Sequence, residues 1–243
     1  MRRTAATAAR VLRQLRHDPR TVALLLLVPA ALMTIFRFVY ENERVAFQQA
    51  GPALMVLFPL ITMFLVSSVS LLRERTSGTL ERLMTTPMSR LALLGGYGVS
   101  FTLLATLQAG LVVALSLGPL GLSLAGSTAL VVVLAISVAL LGLGLGLLAS
   151  AFARTEFQVV QFLPLVILPQ LLLCGLLVPR DEMGGVLHAV SDVLPMSYAV
   201  DGVHHLAREP SASAAALADI AIVLAFAVGA IVLGALTLRR QTD

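Results

Sequence analysis

Apolar residues run along the chain in long stretches, and short polar segments between them contain most of the charge. An α-helix needs about 20 apolar residues to cross the hydrocarbon core of a bilayer. The pattern therefore predicts an all-α polytopic membrane protein with a single transmembrane domain over residues 1–243. The predicted spans are residues 20–40, 50–72, 91–117, 127–153, 157–178 and 212–238.

Two segments outside the spans are amphipathic. Arginines alternate with apolar residues in 1–18, which predicts a helix lying on the membrane surface. Residues 179–210 contain two apolar faces separated by Pro195, which predicts two short outer helices at or dipping into one membrane face. The uncharged stretch 91–153 is too long for one helix, and the Gly-Pro-Leu-Gly sequence at 118–121 predicts the turn that divides it.

The most informative polar segment is residues 73–90, RERTSGTLERLMTTPMSR. Its Thr-Ser-Gly sequence can start a short helix, with Glu81 near the free N–H groups of the first turn, and a proline ends it. Leu80, Leu83 and Met84 then share one face. A helix of two turns is not stable alone, so we expect this face to dock into another protein.

Composition supports the membrane assignment and excludes some chemistry. Hydrophobic residues make up 58% of the chain and charged residues 12%, whereas about 25% is typical of soluble domains. All 17 basic residues are arginines. The absence of lysine excludes a Walker-type ATP site and a Schiff base, and we expect no cofactor. The arginines flank apolar spans, which favours membrane topology over nucleic-acid binding.

The distribution of arginine also predicts orientation. Six spans place both termini on one side, and 13 of the 17 arginines lie on that side. The positive-inside rule then puts the termini and the 73–90 loop in the cytoplasm. We expect a multi-pass protein of the cell membrane, in contact with membrane lipid.

A few small or polar residues inside the spans suggest specific roles. Gly142, Gly146 and Ser150 are four residues apart and form a small-residue face that lets another helix approach closely. Gln161 and Gln170 lie in the fifth span, where polar groups usually face protein or water. Contact with substrate and bonding to another helix explain these two glutamines equally well.

Other transport and enzyme chemistry has weaker support. Asp201 and His205 share a helical face, but two ligands fall short of the three of a catalytic zinc site. The role of these residues and of His204 stays open. An ion-coupled carrier would need a buried acid or histidine, and Asp219 is the nearest candidate.

The 73–90 segment resembles the first cytoplasmic loop of ABC-2 type permeases. That loop has an acidic residue, a Gly-Thr-Leu-Glu-x-Leu core, a proline and a small-residue/basic pair, which correspond here to Glu74, residues 78–83, Pro87 and residues 89–90. Residues 193–206, VLPMSYAVDGVHHL, are similar to the segment before the last span of that family. One departure is Gly-Gly-Tyr at 95–97, where relatives often have Gly-Lys.

The resemblance implies the type V exporter fold, in which two permease halves, identical or related, form the pathway. It also implies a separate cytoplasmic ATPase dimer, so this chain would have no catalytic residue of its own. We expect a hydrophobic or amphiphilic, drug-like substrate, with a glycolipid or polysaccharide as the alternative. The residues that the resemblance assigns to ATPase docking are Glu74, Arg75, Gly78, Leu80, Glu81, Arg82, Leu83 and Met84.

Overall fold

A computed structural model of the chain describes Arg13 and residues 19–76, 90–210 and 213–237. From residue 19 onward, these residues form eight α-helices and no β-strand. In chain order the helices are α1 (Pro19–Val39), α2 (Arg44–Thr76), α3 (Arg90–Leu117), α4 (Thr128–Phe152), α5 (Glu156–Leu173), α6 (Gly185–Ser191), α7 (Pro195–Arg208) and α8 (Ala214–Thr237), with a 3-10 turn at Arg180–Glu182 before α6.

Six of the described helices, α1 to α5 and α8, are long and apolar enough to cross a membrane. The prediction of an all-α protein with six membrane-spanning helices is therefore confirmed. The two short helices α6 and α7 lie between the fifth and sixth spans. Apart from Arg13, the segment predicted to form the interfacial helix lies outside the described residues.

Three helix ends differ by four residues or more from the predicted span boundaries, and one of them is the C-terminal end of α2, at Thr76 rather than 72. Helix α2 begins at Arg44, before the apolar run that starts near residue 50, because its first turns have tertiary contacts of their own. Phe47 is 1% exposed, and the Gln48 side chain hydrogen-bonds the α3–α4 loop. Helix α5 ends at Leu173 rather than 178, shortly before Gly175 at φ +88°, a backbone conformation that suits glycine.

Helix α4 lies at the centre of the bundle and packs against α2 at two glycines. A Cβ atom placed at Gly142 would lie 2.3 Å from the Leu60 carbonyl oxygen. One placed at Gly146 would lie 2.5 Å from the Phe64 carbonyl oxygen. Ser150, one turn further on, is also fully buried. Because the two glycines have no side chain, the backbones of α4 and α2 come into direct contact on this face.

The opposite face of α4 receives α8 in the same way. A Cβ atom on Gly144 would lie 2.7 Å from the Ala230 Cβ, and one on Gly234 would lie 2.9 Å from the Leu147 Cβ. Small residues on both helices bring them together without a polar contact. Helix α4 lies between α2 and α8 and is the most enclosed of the six described spans. Of the residues in its apolar stretch, 67% are buried.

Helices α1 and α5 are the least enclosed spans. Only 17% of the residues in the apolar stretch of each helix are buried. Large side chains such as Leu24, Phe38, Phe157 and Leu165 are exposed. In a membrane these faces must meet lipid tails or another protein. The bundle therefore has a tightly packed centre and two peripheral spans.

Helix α7 inserts into the bundle through its apolar face. Met196, Val200 and Val203 are each 1% exposed or less, and the helix contacts α2, α4 and α8. At its C-terminal end, the Gly126 N–H donates to the Leu206 carbonyl at 2.8 Å. The α3–α4 loop thus satisfies a helix-end carbonyl that would otherwise lack a partner.

The α2–α4 contact predicts different effects on stability for two glycine-to-alanine substitutions. Gly146→Ala should destabilise the detergent-solubilised protein by about 1–3 kcal/mol, because the added methyl group overpacks the interface. Gly110→Ala in α3 is the matched control, since nothing lies within 4 Å of its Cβ position; it should be neutral or slightly stabilising. Equal melting temperatures for both variants would contradict the backbone contact.

Candidate functional site

The predicted docking loop starts at the C-terminal end of α2, where two of the eight predicted docking residues are described. Glu74 is half-buried, and Arg75 donates a hydrogen bond from Nη1 to the Ser150 carbonyl oxygen at the end of α4. Arg75 is therefore held against the bundle. The remaining docking residues lie outside the described residues: Gly78, Leu80, Glu81, Arg82, Leu83 and Met84.

A second arginine at the end of α2 binds the start of α5. Arg73 Nε lies 2.7 Å from Glu156 Oε1, and Nη2 lies 3.2 Å from Oε2. Two parallel bonds from a guanidinium to a carboxylate fix both side chains in orientation. We call Arg73, Arg75, Ser150 and Glu156 the loop-base cluster. It joins the start of the docking loop to two other spans.

The tight turn between α4 and α5 is itself well ordered by hydrogen bonds. Thr155 is the N-cap of α5 and accepts from the Gln158 N–H at 3.2 Å. The Gln158 side chain reaches back to accept from the Arg154 N–H at 2.7 Å, much as in a capping box. A cavity of about 410 Å³ lies between this turn and the end of α2, lined by Leu72, Arg75, Thr76 and residues 151–154.

An open groove of about 690 Å³ lies between α4, α5, α7 and α8. Nearly all of its lining is apolar, including Leu145, Leu165 and Leu233, and Gln170 is the one amide among the lining residues. Gln170 is 4% exposed and donates from Nε2 to the Val166 carbonyl at 3.1 Å.

The two glutamines of the fifth span do not come together. Gln161 is exposed, whereas Gln170 is buried. Nine residues along an α-helix correspond to about half a turn beyond two full turns, so the two side chains project from opposite faces. They belong to different environments.

A cluster of charged residues joins the segment after α5 to α6 and α7. Arg180 donates to the carboxylates of Asp192 and Asp201 and, from Nε, to Ser191 Oγ at 3.1 Å. Its guanidinium also lies over the Tyr198 ring, 5.8 Å from the centroid. We call this set the Arg180 cluster; it fixes α6 relative to α7.

The histidines on α7 have different partners. His205 Nδ1 lies 3.0 Å from Asp219 Oδ2, which joins α7 to the start of α8. Burial lowers the pKa of His204, and nearby Arg208 acts in the same direction, which favours the neutral imidazole. Among the described residues, no group of three or more His, Cys, Asp or Glu side chains is placed to hold a metal ion.

Sequence reasoning missed the Arg180 cluster and the Arg73–Glu156 pair. Arg180 lies 12 and 21 positions from its two carboxylate partners, and Arg73 lies 83 positions from Glu156. Periodicity along one helix carries no information about such contacts. One available signal was that Glu156 is the only acidic residue near the α4–α5 turn, on the side that the charge distribution gives to the arginine-rich loop.

Six apolar spans, an arginine-bearing sequence between the second and third, and two short helices before the last define a multi-pass membrane protein. The family to which it belongs follows from comparison. The profile of the ABC-2 type transporter family matches residues 3–206, most of the chain, and this protein belongs to that family.

Individual relatives are permeases of related transporters. The chain is 29% identical over 150 residues to the probable multidrug ABC transporter permease YbhR of Escherichia coli K12, covering 62% of this chain and 41% of that protein. It is 27% identical over 184 residues to the linearmycin resistance permease protein LnrN of Bacillus subtilis 168, covering 76% and 47%. The chain thus spans less than half the length of these relatives.

The Arg180 cluster yields a stability prediction. Arg180→Met should lower the stability of the solubilised protein by about 1–3 kcal/mol, because two carboxylates lose their charged donor. Arg208→Met, at an exposed position on α7, is the control for loss of one positive charge and should have little effect. Thermal unfolding in detergent measures both; a similar melting temperature for all three proteins would show that the cluster does not stabilise this region.

Proposed function

We propose that this protein is the permease subunit of an ATP-driven exporter that moves a hydrophobic or amphiphilic, drug-like substrate out across the cytoplasmic membrane. A separate ATPase dimer supplies the energy, and a second permease half, the same chain or a related one, completes the pathway. The observation that carries this proposal is membership of the ABC-2 type transporter family over residues 3–206. The permease relatives, named for multidrug transport and linearmycin resistance, favour a drug-like substrate.

The ATPase docks on the 73–90 loop. Leu80, Leu83 and Met84 form the apolar face that enters a groove on the ATPase, and Glu81 and Arg82 make polar contacts at its rim. Arg75 joins Glu81 and Arg82 in the polar contacts at the rim, and Glu74 and Gly78 belong to the motif shared with ABC-2 permeases. The described ends of this loop support the role, because Arg73 and Arg75 attach its first residues to α4 and α5.

The apolar groove supports a hydrophobic or amphiphilic substrate. Its walls offer dispersion contacts along nearly their whole length, with the amide of Gln170 as a polar group. Gln161 projects from the exposed face of α5, where lipid would be a poor environment for an amide. That position suits either the second permease half or a substrate passing between the halves.

The orientation follows from the arginines. Both termini and the docking loop are cytoplasmic, and the Arg180 cluster with α6 and α7 faces outward. The ATPase then meets the loop on the side where ATP is available, and the outer helices cover the exit.

Capture of an ATPase tests the partner and the docking face. Tagged protein purified from its native host in mild detergent should bring down an ATP-hydrolysing protein, and Leu83→Asp should abolish that capture because a carboxylate replaces a docking side chain. The control is Leu187→Asp on exposed α6, which should leave capture intact. If the wild-type protein captures no ATPase, even after cross-linking, the exporter proposal is wrong.

The docking rim gives a second prediction. Glu81→Arg should reduce transport several-fold while leaving the melting temperature of the permease unchanged, because it places a positive charge at the contact. Normal ATP-dependent transport by this variant would remove Glu81 from the interface.

The substrate assignment can be tested by filling the groove. Gly229 lines the groove, and nothing lies within 4 Å of its Cβ position. Gly229→Phe should therefore lower ATP-dependent uptake of a fluorescent hydrophobic dye into inverted vesicles several-fold without unfolding the protein. Gly110→Phe, at another open position on α3, is the control. Loss of uptake of a glycolipid but not of the dye would favour the glycolipid or polysaccharide alternative.

The pairing of Asp219 with His205 keeps an ion-coupled carrier as a second candidate. In such a carrier, transport would collapse with the proton gradient and survive ATP depletion, and Asp219→Asn would abolish it. The exporter proposal predicts the reverse dependence on ATP and gradient.

A further inference from the structure

Two arginines in the last turn of α2, at the start of the docking loop, are bound to two different helices. Arg73 is bound by Glu156, the first residue of α5, and Arg75 by the Ser150 carbonyl near the end of α4. The loop therefore starts from a point fixed to both sides of the α4–α5 turn. Any displacement of this point acts on those two helices first.

The two attachments act on very different helices. Helix α4 is already locked against α2, since Gly142 and Gly146 bring the backbones together along its length. Helix α5 is peripheral, with 17% of its apolar window buried. Its contacts with α2 near this end include the Arg73–Glu156 pair and a small apolar cluster in which Val69, Leu72, Val159 and Phe162 pack together with Ala153.

The geometry of the Arg73–Glu156 pair suits the transmission of movement more than stability. Both side chains are exposed, at 63% and 51%, and exposed ion pairs contribute little to folding. Bidentate bonding nevertheless fixes direction as well as distance. The apolar cluster beneath it supplies the packing, and the pair supplies the orientation.

Helix α5 also contains features that allow its N-terminal turns to change tilt. Pro164 and Pro169 lie inside it, and each removes a backbone hydrogen bond and favours a kink. The first two turns, from the Thr155 cap onward, can therefore change their tilt relative to the second half. The capping bonds of Thr155 and Gln158 keep those first turns helical during such a change.

We propose that the Arg73–Glu156 pair is a positioning link that carries movement of the docking loop to the first half of α5. This inference rests on the proposed function, because the movement originates in the ATPase docked on that loop. Arg73 and Glu156 contact neither nucleotide nor ATPase in this role. They determine how much of each ATPase cycle reaches the first half of α5, whose exposed face carries Gln161. The groove is lined by the half of α5 that follows Pro164.

A charge swap tests the link. Arg73→Glu and Glu156→Arg should each lower the amount of dye transported per ATP hydrolysed several-fold, since each places like charges side by side. The double variant Arg73→Glu/Glu156→Arg restores an opposite pair and should recover most of the wild-type ratio. Arg154→Glu, an equal charge change in the neighbouring turn, is the control and should keep the wild-type ratio.

The readouts separate this inference from the proposed function. ATPase capture and melting temperature are measured for all five proteins and should be unchanged, which a general structural defect would not allow. If the wild type captures no ATPase, both proposals are overturned. If all variants capture it and the single variants transport as efficiently per ATP as the wild type, only the link is overturned. A loss that the swap fails to restore, or that Arg154→Glu reproduces, also overturns the link.

Discussion

The structure depends on the backbone contact between α4 and its two neighbours. Within a bilayer, apolar surface gains nothing by leaving lipid for protein, so close packing must hold the helices together. Glycines on both faces of α4 provide it: Gly142 and Gly146 toward α2, and Gly144 toward α8. Helix α2, which leads to the docking loop, and helix α8, which leads to the C-terminal region, are thus both packed against α4.

Polar contacts are concentrated at the two ends of this packed centre, and they restrain the helices to different degrees at the two ends. At one end, the Arg180 cluster fixes α6 to α7, and the His205–Asp219 pair fixes α7 to α8. Arg37 also donates to the Leu120 carbonyl there at 3.2 Å. At the other end, the loop-base cluster attaches the start of the docking loop. At the first end many hydrogen bonds and ion pairs hold the helices together, whereas at the second end few hold α5.

This contrast suggests how a compact bundle can move. Displacing α4 relative to α2 would break backbone contact along several turns, which is costly. Displacing the start of α5 breaks no such contact, because the helix is peripheral and interrupted by Pro164 and Pro169. We therefore expect α5 to be the span that responds to the docking loop, with α2, α4 and α8 as its frame.

The sequence allowed the architecture to be predicted, because hydropathy and small-residue spacing are local signals. Six spans and two short helices before the last followed from apolar run lengths and from Pro195. The start of α2 at Arg44 did not, since hydropathy locates only the part of a helix inside the bilayer. Contacts between residues far apart in the sequence could not be predicted either, because no local sequence pattern relates Arg73 to Glu156. By contrast, the opposite faces of Gln161 and Gln170 follow from their spacing alone.

Site-specific cross-linking from the docking face tests directly whether an ATPase binds the 73–90 loop. Cys174, the only cysteine, is buried and can be replaced by alanine. A photoreactive label at Leu83→Cys would then probe whatever lies against the loop. We predict a covalent adduct with an ATP-hydrolysing protein, absent when the label is at Leu187→Cys on α6. Adducts with lipid alone from the Leu83 position would show that no ATPase docks on this loop.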